Sequence, residues 1–175
     1  RELFRELVFK IKGEIPEAAV GIDCLIGFPG ENGKSFENTF DLIEEIPSTY
    51  LHVFPFSPRR GTPAWSFHGR VPSDEIKRRC HAMRKLGKEK KKRFFESFAG
   101  KKLSILVEEQ RDGVTGMLKA MSSNYIPVLI HGSDELKNTI QRATVSRILE
   151  GLKVFGTVVD HSQMKDIQME KEEKK

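Results

Sequence analysis

Five short apolar runs crowd into residues 103–160, and this spacing constrains the fold more than any other feature of the chain. They read LSILVEEQ, VTGMLKAM, NYIPVLIHG, TIQRATVSRIL and LKVFGTVVD. Turn-forming pairs separate them: Asp112-Gly113, Ser122-Ser123, Ser133-Asp134 and Glu150-Gly151. Five strands at this interval predict a small barrel of the OB type.

Upstream the period changes. Leu3, Phe4, Leu7, Val8 and Ile11 recur at helical spacing, and Gly13 and Pro16 end that helix. Ala18 to Ile26 is a mostly apolar run, as expected of a strand buried on both faces. A glycine-rich turn follows, and Ser35 is placed to cap a helix carrying Phe36, Phe40 and Ile43 on one face. Pro47 stops it. Tyr50 to Phe56, YLHVFPF, is a second strand, closed by the turn-dense loop SPRRGTP. This alternation is that of a parallel sheet, so the fold class is α/β followed by all-β. So few βα units cannot close a sheet, and residues 1–70 are therefore expected to be the end of a larger domain. Pro72, Ser73, Asp74 and Glu75 open a long helix with an acidic first turn. It continues through Ile76, Cys80, Met83 and Leu86 and ends near Gly100. Residues 71–100 thus read as a linker helix between the two parts, with the barrel at 101–160. The tail, 161–175, lacks apolar content and is expected to be disordered or a frayed helix.

Charge is uneven. The chain carries a formal +5, but residues 70–102 alone hold 13 Lys/Arg against 4 Asp/Glu. A stripe of that density suits a polyanion, RNA or DNA first, or else it is a solvated helix face. No apolar stretch approaches a membrane span, so no membrane partner is expected. The two cysteines, Cys24 and Cys80, are too few and too far apart for a disulfide framework. They read as core residues of a reduced, cytoplasmic protein.

GFPGENGKS, residues 27–35, has the look of a phosphate-binding P-loop, but its spacing is wrong. Five residues separate Gly27 from Gly33-Lys34-Ser35 where the motif needs four. Pro29 also removes a backbone donor.

Three stretches in register give a better account. DCLIGFPGENGKSFENT, LHVFPFSPRRGTPA and GKKLSILVEE…GMLKAMSSNYIPVLI together resemble the radical S-adenosylmethionine methylthiotransferases. The first two are similar to the fifth- and sixth-strand motifs of their TIM-like α/β barrel, the third to their TRAM domain, a small RNA-binding barrel. The resemblance covers roughly residues 1–160. Within it, LHVFPFS with His52 most resembles the branch that modifies threonylcarbamoyladenosine at tRNA position 37. The isopentenyladenosine and ribosomal-protein branches are the alternatives, and a non-catalytic RNA-binding module is an alternative of another class. Arg60 and Asn32-Gly33-Lys34 depart from the family pattern. The resemblance implies S-adenosylmethionine and two [4Fe-4S] clusters as cofactors. It implies tRNA, through its anticodon stem-loop, as partner. Thiolates hold such clusters, and the CxxxCxxC triplet of the family is absent. The chain therefore resembles the C-terminal portion of such an enzyme, inactive alone, with the cluster-binding regions expected upstream.

The residues that the resemblance singles out have plainer readings beside the functional ones. It implies cofactor contact for Leu25, Ile26, Gly27 and Phe28; the glycines also suit a tight turn. Ser57 and Arg59, at the matching end of the next strand, are also expected at the cofactor, since an arginine there can fork onto a phosphate or carboxylate. Glu31 reads as a carboxylate compensating the helix dipole. RNA contacts are expected from Arg60, from Lys90, Lys91, Lys92 and Arg93 on the basic helix, and from Lys119, Asn124 and Tyr125 in the barrel. An exposed Tyr125 could stack a base and Asn124 read a base edge, or both could simply make a turn. His52 reads as structural, and Trp65 as packing the linker.

Overall fold

The computed structural model describes residues 1–149 and 152–159. The expected disorder of 161–175 lies outside the described residues. The chain divides into two compact units, Arg1–Phe94 and the part from Phe95 on.

The first unit holds helix α1 (Glu2–Glu14), strand β1 (Gly21–Ile26), helix α2 (Gly33–Glu45), strand β2 (Tyr50–Pro55) and most of helix α3 (Ser73–Glu96). β1 and β2 pair in parallel, Gly21 beside Tyr50 and Ile26 beside Pro55. Val8, Cys24, Ile26, Phe36, Ile43, Val53, Cys80, Met83 and Leu86 form one core, drawn from all five elements. The helix read from sequence as a linker is thus a core element here, because its apolar seam packs with the strands.

β1 is not buried on both faces. Cys24 and Ile26 point into the core, while Asp23 and Leu25 are exposed beside His52 and Phe54. The cap of α2 also differs from expectation. Asn32, not Ser35, occupies the N-cap, and its Oδ1 accepts from Ser35 N at 2.8 Å and Ser35 Oγ at 3.0 Å. Both are good cap residues; the helix starts three residues earlier than expected, and Ser35 becomes the residue that donates to the cap.

The second unit is a closed five-stranded barrel with the order β3-β4-β5-β7-β6. Its strands are β3 (Lys102–Arg111), β4 (Leu118–Ser122), β5 (Pro127–Ile130), β6 (Ile140–Leu149) and β7 (Lys153–Val158). All pairings are antiparallel except β5 with β7. Alternation drives closure: Leu103, Ile105 and Val107 point inward along β3, Leu118 and Ala120 along β4. No helix among the described residues is long and apolar enough to cross a membrane.

Candidate functional site

The loops at the carboxyl ends of β1 and β2 are the place where a parallel sheet presents side chains to a ligand. Gly27 and Gly30 both take positive φ, +85° and +90°. Their surroundings differ. A Cβ on Gly27 would lie 2.5 Å from Ile76 Cγ1, so this glycine makes room for α3. A Cβ on Gly30 would meet nothing within 4 Å, and Gly30 serves the turn itself.

Glu31 is more than a dipole-compensating carboxylate. Its Oε2 accepts from Gly27 N at 3.1 Å, and its Oε1 accepts from Arg79 Nη1 at 2.7 Å. Arg79 is buried, donates also to Glu31 O, and bonds Glu75 through Nε at 2.7 Å. Burial opposes the charge of Arg79, but the bonds to Glu31 and Glu75 outweigh it and raise its pKa. Arg78 and Arg79 in turn draw the Glu75 carboxyl down to about 2. Nothing in the one-dimensional pattern marks Arg79: it is one cation among many in the basic segment, and only its turn of helix selects it.

Of the six residues expected at the cofactor, Leu25, Phe28, Ser57 and Arg59 are exposed, and Ile26 and Gly27 are buried. Ile26 is buried, and its carbonyl accepts from Phe56 N at 2.7 Å. Phe28 meets Phe56 and Phe67 edge-on, with ring centroids 5.2 and 6.0 Å apart. Ser57, Arg59 and Arg60 are exposed just beyond β2. The structure thus brings Leu25, Phe28, Ser57, Arg59 and Arg60 to one end of the sheet.

The basic helix corrects one expectation. Lys90 is buried, and its Nζ donates to Glu44 O at 3.0 Å and Ile46 O at 2.8 Å. It caps the C-terminal end of α2 and does not face a phosphate. Burial, with help from Arg93 and against Glu44, pushes its ammonium below the ordinary pKa. Lys91 lies over the Tyr50 ring at 5.2 Å, and Lys92 and Arg93 are exposed.

In the barrel, Tyr125 is 70% exposed with φ +62°, an uncommon conformation for a bulky residue. It lines a recess with Leu106, Met121 and Ile140. Asn124 Oδ1 accepts from Ser122 Oγ at 2.6 Å. Lys119 lines a different recess, with Glu108, Asp112 and Lys153, and is not gathered with Tyr125.

Both cysteines are buried, and burial raises each thiol above its ordinary pKa. Among the described residues no group of three His, Cys, Asp or Glu could hold a metal ion. A [4Fe-4S] cluster, which needs clustered thiolates, does not fit the residues of this chain.

Comparison with known proteins decides the family. The chain is 30% identical over 141 residues to the threonylcarbamoyladenosine tRNA methylthiotransferase MtaB of Aquifex aeolicus, covering 81% of this chain and 33% of that protein. The chain belongs to the methylthiotransferase family. The MtaB protein of Rickettsia prowazekii is 37% identical over 123 residues, 70% of this chain and 27% of the relative. The tRNA-2-methylthio-N(6)-dimethylallyladenosine synthase of Protochlamydia amoebophila is 30% identical over 144 residues, 82% of this chain and 32% of the relative. No family model matches the chain. It spans about a third of the length of the curated relatives it matches.

Proposed function

We propose that the protein carrying this chain is a tRNA methylthiotransferase that uses radical S-adenosylmethionine chemistry. Its substrate on this reading is carbon 2 of N6-threonylcarbamoyladenosine at tRNA position 37. The observation that carries the reading is the similarity to MtaB proteins over most of the chain. The open sheet face agrees with it. Leu25 and Phe54 lie side by side across β1 and β2 and are each about half exposed. An apolar face left uncovered on a two-stranded sheet is what the last strands of an α/β barrel present when the preceding strands lie outside the chain.

S-adenosylmethionine, when bound, would supply the radical and the methyl group. The residues at the sheet end fit it: Leu25 and Phe28 offer apolar surface to an adenine, and Ser57 and Arg59 offer polar groups beyond β2. The iron–sulfur clusters have no ligand set here and belong to the part of the protein outside this chain. The closed barrel is read as a TRAM domain that holds RNA, with Tyr125 presented to stack a base.

A second reading rests on the dimethylallyladenosine synthase matched at equal identity: the same reaction on the dimethylallyl derivative. Both are tested by deleting the gene in its host and analysing tRNA nucleosides by mass spectrometry. Loss of the 2-methylthio threonylcarbamoyl nucleoside, restored by the intact gene, is the expected result. Loss of the dimethylallyl counterpart assigns the second reading. An unchanged nucleoside profile overturns both.

A further inference from the structure

Residues 46–73 contain three arginines and two histidines but no Asp or Glu. This is unusual in a chain with 25 acidic residues. Between Phe56 and Arg70 the same segment exposes two large aromatics, Trp65 at 41% and Phe67 at 44%. The cations and rings are assembled together. The guanidinium carbons of Arg60 and Arg70 lie 5.7 and 5.8 Å from the centroid of the Trp65 ring. Phe67 and the exposed Phe28 meet edge-on.

The loop is held in shape before any ligand arrives. Thr62 donates to Arg59 O through both N and Oγ1, and Trp65 N donates to Thr62 O at 3.0 Å. Arg70 Nη2 donates to Trp65 O at 3.1 Å, and Gly30 N donates to Gly69 O at 2.9 Å, which ties the loop to the turn after β1. Meanwhile, among the described residues, the guanidiniums of Arg59 and Arg60 donate no hydrogen bond and pair with no carboxylate. A guanidinium stacked on an aromatic ring keeps its in-plane donors available, and those donors match a phosphate. Exposed rings interleaved with unpaired cations are what an unpaired nucleic-acid strand requires: a face for each base and a charge for each phosphate.

We propose that the loop of residues 56–70, with Arg60, Trp65, Phe67 and Arg70 as its contacts, binds single-stranded RNA. It is distinct from the barrel and from the basic helix. The inference rests on the reading of a tRNA substrate, and it names the surface that takes the unpaired nucleotides of that RNA. Duplex RNA fits less well, because its bases are already stacked and its edges lie in grooves.

Trp65 is the sole tryptophan of the chain, so its fluorescence reports on this surface alone. The 175-residue chain is titrated with a fluorescein-labelled nine-nucleotide unstructured RNA, a blunt duplex RNA of the same length, and polyglutamate. Single-stranded RNA should quench Trp65, and a base stacked on the indole is the source. Anisotropy of the labelled RNA should show binding at least tenfold weaker in Trp65→Ala, with Trp65→Phe retaining most of it. The double replacement Arg60→Gln, Arg70→Gln should flatten the log–log salt slope by about 1.4, at about 0.7 per phosphate. Circular dichroism of each variant checks that it is folded. Binding without quenching, with all variants at parental affinity, overturns the inference and leaves the tRNA reading standing. Equal quenching by duplex RNA or by polyglutamate also overturns it, since the surface would then be a general anion site. Absence of any RNA binding overturns it too, while the nucleoside analysis above decides the activity separately.

Discussion

Gly27 and Gly30 share a positive φ within one turn, but different neighbours give them different tolerances. Alanine at Gly30 meets only the left-handed backbone penalty, about 1–2 kcal/mol. Alanine at Gly27 adds an overlap with Ile76, worth about 1–3 kcal/mol more in a packed site. Urea titration of the two variants should rank them in that order. The double variant Gly27→Ala, Ile76→Ala should be more stable than the sum of the single losses, because the truncation removes the clash. Equal losses at the two glycines would mean that α3 yields without strain. Acid sensitivity belongs to the same turn. Glu75 has its pKa drawn from 4.5 to about 2 by Arg78 and Arg79. A depressed carboxyl stabilises the fold above its unfolded pKa and loses that contribution as pH falls through the folded one. The stability difference between the parent and Glu75→Gln should therefore be full above pH 4.5 and should shrink as pH falls toward 2. A difference constant with pH would show that Glu75 acts by shape alone.

Helix α3 packs an apolar seam into the core and exposes a row of cations, and sequence periodicity distinguished only the seam. Its apolar seam was legible, since Cys80, Met83 and Leu86 fall where a 3.6-residue period puts them. The burial of Arg79 and Lys90 was not legible. Glu75 and Arg79 form a local i,i+4 pair, but the partners that bury the two cations, Glu31 for Arg79 and the Ile46 carbonyl for Lys90, lie 44 or more positions away, where no local pattern records them. The strands fared likewise. Turn pairs at regular intervals marked all five barrel strands, whereas β1 was read as buried on both faces, because an apolar run looks the same whether or not a neighbour covers it. The core packing of α3 and the proposed contact of its cations with RNA separate experimentally. Lys90→Met removes the donor to two carbonyls and should lower stability by about 1–3 kcal/mol. It should leave the salt dependence of RNA binding at the parental slope. Replacing the exposed Lys88, Lys92 and Arg93 with Gln should do the reverse: little loss of stability, and a slope flattened by up to about 2. A Lys90→Met variant with a flattened slope would place that ammonium on the RNA after all.

At the scale of the molecule, the two units differ in how their sheets end. Every barrel strand has two partners, so the second unit has no free edge. The first unit has two strands, each with one open side, and it leaves Leu25 and Phe54 half exposed on the uncovered face. Arg84 Nη2 donates to Val53 O at 3.1 Å and satisfies part of the β2 edge, but a two-stranded sheet draws its stability mainly from the helices packed on it. This asymmetry is expected from the sequence, since so few βα units cannot close a sheet while five strands can close a barrel. The chain is therefore expected to unfold in two steps, the first unit ahead of the barrel. Trp65 lies in the first unit and is the sole tryptophan, so its fluorescence should change at lower urea than the exchange protection of amides in β3, β5 and β7. The far-ultraviolet transition should then be broader than either. Coincident transitions by all three probes would mean that the units unfold as one cooperative body, and that the open sheet is stabilised within this chain rather than by strands beyond it.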